Sequence, residues 1–345
     1  MMRYDRDLKT HIFLSILLIF VFCISYPCTA QDKERERIVL FPFENLTADS
    51  SATSLIMHVV RESLQKKGID VVDEAETNDF LFKERIRSTG NISAEVLLKA
   101  QRKLSADYVL LGTIHNFYVS ENPQLGISAR LIDPETGDIV WTDYSSHAGE
   151  DFVKLFGLGA IRDIDRLSHR VVDRLLGSFN SVRPKEKEST YRIAVMPLKN
   201  KGKRAGAGSI AAHMFVFELF KSSRFVPVDY GFIKNATVYL RIWPKGELDY
   251  LTIDAVSEYL NVDAILIGTV EAYPDREYEM ITPEVEISAR LIDARKKRIL
   301  WSDSIRMDRD AEIYIFDWGR ITTIDKIAQK VASRLVKGME KARWQ

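Results

Sequence analysis

The stretch ISARLID spans Ile127–Asp133 and returns unchanged at Ile287–Asp293. A recurring heptapeptide marks either a duplicated site or a strand used twice, and alignment outward from it separates the two. RIVLFPFEN from Arg37 matches RIAVMPLKN from Arg192, with Pro42 answering Pro197 and His58 answering His213. ADYVLLGTI from Ala106 matches VDAILIGTV from Val262, and beyond the heptapeptide Trp141 and Asp143 answer Trp301 and Asp303. The offset grows from 155 to 156 to 160 along the chain, as small loop insertions produce. A repeat of this length sets the architecture before any local reading.

Each copy ends in an apolar stripe at helical spacing: Ile161, Ile164, Leu167, Val171 and Leu175 in the first, Ile321, Ile324, Ile327, Val331 and Leu335 in the second. Between them SFNSVRPKEKEST is polar, charged and broken by Pro184, a linker composition. The reading is copy 1 over residues 37–178, a linker over 179–190, copy 2 over 191–338 and a tail over 339–345. Within each copy the pattern predicts an α/β domain, a mixed sheet packed by helices in β-α-β-α-β-β-β-α order. In copy 1 these are a strand at 38–41, a helix at 53–66, a strand at 70–72, a helix at 93–104, a strand at 108–114, a hairpin at 127–133 and 139–144, and the closing helix. The unbroken apolar strand belongs in the centre, since only a strand covered on both faces dispenses with polar alternation. Gly112 and Gly268 inside it predict close packing or a bulge.

A four-residue connection, Pro134 to Gly137, pairs Asp133 with Asp138. Simple alternation then sets Arg130 opposite Trp141 with Asp143 diagonal to it. Copy 2 repeats this structural hairpin cluster as Arg290, Trp301 and Asp303.

The first thirty residues differ in kind. Arg3, Arg6 and Lys9 precede the apolar run Ile12–Ile24, and Cys28-Thr29-Ala30 closes it, which is the layout of a secretory signal peptide (1–30). Both cysteines, Cys23 and Cys28, lie here, so a chain cleaved after Ala30 has no disulfide or thiolate chemistry; lipidation of Cys28 is the alternative processing. With 49 basic and 49 acidic residues in 345, the charge balance favours neither nucleic acid nor an anionic membrane surface.

The strings VLFPFEN, ADYVLLGTI and ISARLIDPETGDIVW resemble the domain shared by the amino-terminal part of TolB and by CsgG-like, LpoB-like and FlgT-like bacterial envelope proteins. Copy 2 keeps the core but replaces Pro-Glu-Thr-Gly with Ala294-Arg295-Lys296-Lys297. The resemblance implies a small α/β module of the cell envelope used for binding and assembly. A channel version needs extra membrane-crossing strands of about 9 to 11 residues, and neither HNFYVSENPQLG nor EAYPDREYEMITPEVE is long enough to supply them.

Chemistry-bearing motifs are few. KGKRAGAGSIA, Lys201–Ala211, contains G-x-G-x-x-A at 206–211 with Asp229 further on, the outline of a dinucleotide loop. Copy 1 has no glycine there yet keeps an aspartate, Asp73, so the acid needs no nucleotide to explain it. His58 and His213 recur in the first helix, but the Glu62 that accompanies His58 becomes Phe217, so no ligand set repeats. His115, His147 and His169 have no counterparts. Exposed-looking aromatics in copy 2, Trp243, Tyr314, Phe316 and Trp318, are the candidate partner-binding surface.

The expectation is therefore a non-enzymatic periplasmic adaptor or assembly protein of the bacterial envelope, without catalytic, metal or cofactor residues. Its partners would be other envelope proteins, including further copies of itself, with membrane contact peripheral at most and no nucleic acid. Two alternatives use the same residues: an oligomeric secretion or curli-type component associated with the outer membrane, and a nucleotide-binding enzyme built on the 206–211 loop.

Overall fold

Val109, Leu110 and Leu111 are buried on both faces of their strand, and the sheet grows from that strand in both directions. The computed structural model describes residues 36–90, 92–153, 159–179, 191–243, 247–275, 283–311 and 321–342. The signal segment with Cys23 and Cys28, most of the linker, Asn91, and Tyr314, Phe316 and Trp318 lie outside the described residues. From Glu36 onward the chain forms one compact unit.

The first repeat contributes β1 (Arg37–Leu40), β2 (Glu44–Asn45), β3 (Asp70–Val71), β4 (Tyr108–Tyr118), β5 (Gln124–Ile132) and β6 (Ile139–Ala148). Its helices are α1 (Ala52–Lys66), α2 (Glu74–Lys83), α3 (Ala94–Leu104) and α4 (Ile164–Leu175). The strand order is β3-β1-β4-β5-β6 with β2 also pairing β4; β1, β2 and β3 run parallel to their neighbours, while β4, β5 and β6 are antiparallel. The second repeat rebuilds this with β7 (Tyr191–Val195), β8 (Lys199–Asn200), β9 (Phe225–Pro227), β10 (Ala264–Ala272), β11 (Glu284–Asp293) and β12 (Ile299–Asp308). Its helices are α5 (Ala207–Lys221), α6 (Tyr230–Tyr239), α7 (Tyr250–Leu260) and α8 (Ile324–Lys341). The mixed-sheet α/β class is as the sequence indicates, with one more helix per repeat. That helix starts at an aspartate N-cap: Asp73 accepts from Ala75 and Glu76 amides, and Asp229 from Gly231. The α2 segment EAETNDFLFK buries only Thr77, Phe80 and Leu81, too few for a visible stripe.

One face of the first sheet packs on α1 and α4, where Ile56, Val60 and Leu64 meet Leu167, Val171 and Leu175 over Ile127, Ala129 and Leu131. Burying each of the Ile, Leu and Val side chains stabilises by about 1.5–3 kcal/mol. The opposite face carries Val39, Phe41 and Ile132 under α2 and α3, and its core runs without a break into the second repeat. Gly112 has the predicted packing role: a Cβ there would fall 2.3 Å from the Phe43 ring. At Gly268 the obstacle is the Ser288 carbonyl, at 2.4 Å.

The four-residue turn forms, with the Asp133 amide donating to the Asp138 carbonyl at 3.0 Å. The pairing beyond it differs from simple alternation. A bulge between Leu131 and Ile132 places Leu131 opposite Trp141, Arg130 opposite Thr142 and Ala129 opposite Asp143. Trp141 therefore joins the α4 face, where its indole donates to Ser178 Oγ (3.0 Å) and Ser178 donates to Asp143 (2.5 Å), while Arg130 points to the other side. The second repeat carries the same bulge, with Leu291 opposite Trp301, Arg290 opposite Ser302 and Ala289 opposite Asp303. The Arg–Trp–Asp cross-strand cluster is absent from both, because one extra residue in β6 and β12 reverses the parity.

Candidate partner-binding surface

Freed from Trp141, Arg130 enters a polar layer where the second repeat closes the far face of the first sheet. Its guanidinium is 4% exposed and bonds the carboxylate of Asp229, 2% exposed, at the N-cap of α6. Around this pair, His115 Nε2 lies 2.7 Å from Ser128 Oγ and the His115 and His213 rings are 5.5 Å apart. The His213 ring lies tilted against Tyr230 with centroids 4.4 Å apart, and the Tyr230 hydroxyl donates to Ser209 (3.1 Å). Arg204 bridges Asp325 (3.2 Å) and the His115 carbonyl, Tyr273 donates to Asp325 (2.5 Å), and Ser146 meets Thr323 at 2.8 Å. Ion pairs Lys234–Glu44 and Arg192–Asp138 tie the rim.

This joint is built for holding. Burial drives His115 down to about 4, with Asp325 opposing and Arg204 and Arg130 adding to it, and drives His213 well below the ordinary imidazole value, with neighbouring positive charge adding to it. Burial likewise raises Tyr144 and Tyr273 far above the ordinary phenol. All four groups are thus neutral at neutral pH and shielded from solvent, and among the described residues no His, Cys, Asp and Glu group has the arrangement to hold a metal ion. The nucleotide outline dissolves in the same contacts. Asp229 is spent on Arg130, Arg204 on Asp325, Lys201 on Glu271 (2.8 Å), and Gly208 is a glycine because a Cβ would sit 2.1 Å from the Leu198 carbonyl. His58, the repeat of His213, lies exposed on α1. His115 was not visible as a partner of His213, since nothing in a repeat alignment reveals that one copy packs on the other. The accessible signal was α5 itself, AGSIAAHMFVFELFK, apolar on every side and buried on every side.

The exposed apolar surface gathers elsewhere. Val238 and Tyr239 at the end of α6, Trp243 after it, and Tyr250, Leu251 and Tyr259 on α7 are all solvent-exposed, Trp243 at 75% and Leu251 at 82%. Tyr239 and Tyr259 stack at 5.3 Å, joining the two helices into one aromatic face. The first repeat supplies an internal control on the same scaffold: Lys83, Arg87, Glu95 and Lys103 occupy the positions of Tyr239, Trp243, Leu251 and Tyr259. There Glu84 holds Lys99 at 2.9 Å and Lys103 at 2.5 Å, the solvated charges expected of an unpartnered helix pair. Of the four aromatics singled out in the sequence, Trp243 falls in this surface.

Residues 23–146 match the family model of the peptidoglycan-synthase activator LpoB, so the first repeat is similar to that family over about a third of the chain. No curated protein matches the chain. Solved structures similar to it include lipoprotein GNA1162 from Neisseria meningitidis, at 19% identity over 41% of this chain and 99% of that one, TM-score 0.31. The PelC dodecamer from Paraburkholderia phytofirmans aligns at 17% identity over 41% and 86%, TM-score 0.29. The LpoB C-terminal domain from Escherichia coli aligns at 12% over 39% and 90%, TM-score 0.26.

Proposed function

We propose that this protein is a non-enzymatic component of the bacterial envelope, on the periplasmic side, that acts by binding other proteins through the aromatic face of α6 and α7. The family match supports a regulatory binding module over an enzyme. The observation that carries the surface assignment is the replacement, on one scaffold, of four charged positions by Tyr239, Trp243, Leu251 and Tyr259. Exposed aromatics flanked by a rigid helix pair are the usual anchors of protein interfaces. This face lies outside residues 23–146, so whatever it binds is added to the LpoB-like domain and not inherited from it. No helix among the described residues is long and apolar enough to cross a membrane.

A photo-crosslinking residue at Tyr250 tests this in cells. The expected result is a discrete adduct that disappears when Trp243 and Leu251 are changed to Ala and Ser, and that a probe at Phe82, exposed on the first repeat, does not give. Equal labelling from both positions, or an adduct indifferent to the Trp243 and Leu251 changes, would sink the assignment.

A further inference from the structure

The face of the first sheet that the second repeat closes has a counterpart in the second sheet, and there it is open. Arg130, His115, Ser128 and Ser146 correspond to Arg290, Glu271, Ser288 and Arg306; both strands bulge at the same place, His115 in β4 and Glu271 in β10. Even the local bond recurs, His115 to Ser128 at 2.7 Å and Ser288 to Glu271 at 3.3 Å. Over Arg290 lies a concavity of about 380 Å³ bordered by Lys201, Thr269, Glu271 and Ser302. Glu271 is held by Lys201 and Arg306 by Glu284 and Glu286, whereas Arg290 is exposed and has no bonded partner among the described residues.

The elements that close the first face also have counterparts, and these are unused. The covering set is α5 with His213, the α6 N-cap Asp229 and the α8 N-cap Thr323. In the first repeat they become α1 with His58, the α2 N-cap Asp73 and the α4 N-cap Asp163, all exposed. One molecule therefore carries an empty socket and a free plug of one architecture. Superposing the contacts residue by residue brings Asp73 to Arg290 as Asp229 sits on Arg130. It brings His58 beside Glu271 where His213 meets His115, and Asp163 to Arg306 where Thr323 meets Ser146. The buried joint's Phe217 and Tyr144, 6.2 Å apart, become Glu62 and Ser304. The first interface is buried and permanent, its ion pair sealed from solvent; its repetition is solvent-exposed and charge-complementary, the composition of a reversible contact.

We propose that the protein self-associates head to tail, the first repeat of one molecule docking through α1 and the N-termini of α2 and α4 onto the open sheet face of a second copy's second repeat, with Asp73 on Arg290 at the centre. Plug and socket are different surfaces, so the contact is heterologous: each addition leaves one of each free, and the assembly extends or closes into a ring.

Sedimentation velocity of the purified chain at low and high salt tests it. Unmodified protein should associate with rising concentration and dissociate with salt. Arg290→Asp puts two like charges together and should weaken association by more than about tenfold, as should Asp73→Arg. Each reversal alone sets like charges together, but in an equimolar mixture Asp73 of one variant meets Arg290 of the other, and the Asp73→Arg plug meets the Arg290→Asp socket, so association should be restored towards that of the unmodified chain. An unmodified chain that stays monomeric, an Arg290→Asp chain that associates as before, or a mixture that associates no better than either variant alone would each overturn the proposal.

Discussion

Arg130→Met separates the role of the buried joint from that of the motif that supplies it. Arg130 and Asp229 are 4% and 2% exposed, so removing the guanidinium leaves a carboxylate buried without its counter-charge. Breaking such a pair costs about 3–5 kcal/mol, far beyond the 0–1 kcal/mol of an exposed pair. With an m value of about 3 kcal/mol per M, the urea midpoint should fall by roughly 1–1.7 M. Arg290→Met is the matched control, since the same residue in the same heptapeptide faces solvent; it should move stability by less than about 0.5 kcal/mol. Arg130→Met combined with Asp229→Asn removes both charges and keeps an N-cap that can still accept from Gly231, so it should recover most of the loss. Equal effects of Arg130→Met and Arg290→Met would refute the reasoning, because the two differ only in what the rest of the chain packs against them.

Acid should weaken the same joint. His115 and His213 titrate below their unfolded value, so the unfolded chain binds the extra protons, and stability, complete above about pH 6.5, falls as pH drops towards about 4. His115 contributes up to about 1.4 kcal/mol per pH unit in that window, and His115→Gln should remove that share from a plot of urea midpoint against pH. Exchanging the aromatic face for the first repeat's residues, Tyr239→Lys, Trp243→Arg, Leu251→Glu and Tyr259→Lys, should change thermal stability by no more than about 0.5 kcal/mol per site while abolishing partner capture. Gly208→Ala should destabilise by about 1–3 kcal/mol, read by urea unfolding, because its methyl would meet the Leu198 carbonyl.

The fold was legible because its signals are local or periodic. The apolar run at Tyr108, the turn at Pro134 and the stripe from Ile161 each place an element without knowledge of the rest, and duplication doubles every observation. What escaped was either too short or non-local. A single inserted residue in β6 reversed the face of Arg130, and no alternation rule detects one bulge. The α2 helix buries too few side chains to show a period. His115, Asp229 and Asp325 converge only because one repeat packs on the other, and that packing is recorded in residues far apart in sequence. The aromatic face was partly legible: Trp243 stood out, but Tyr239, Leu251 and Tyr259 become conspicuous only beside the lysines and glutamate that hold their places in the first repeat.

Duplication turns the molecule into its own control, and it separates what the two copies share from what each does. The shared residues, ISARLID above all, set strand, bulge and sheet order in both repeats. The same arginine is then a buried anchor in one copy and a solvent-facing cation in the other, so identity of the motif carries no identity of role. Function has to be sought where the copies part. His115 against Glu271 and Tyr144 against Ser304 mark a face closed in one repeat and open in the other; Lys83 against Tyr239 and Glu95 against Leu251 mark an exposed helix pair turned from charged to apolar. Both divergences leave the second repeat with an open sheet face and an aromatic helix pair and the first with a sealed sheet face, so the first repeat's sheet is the anchored one and its exposed surface is that of its helices.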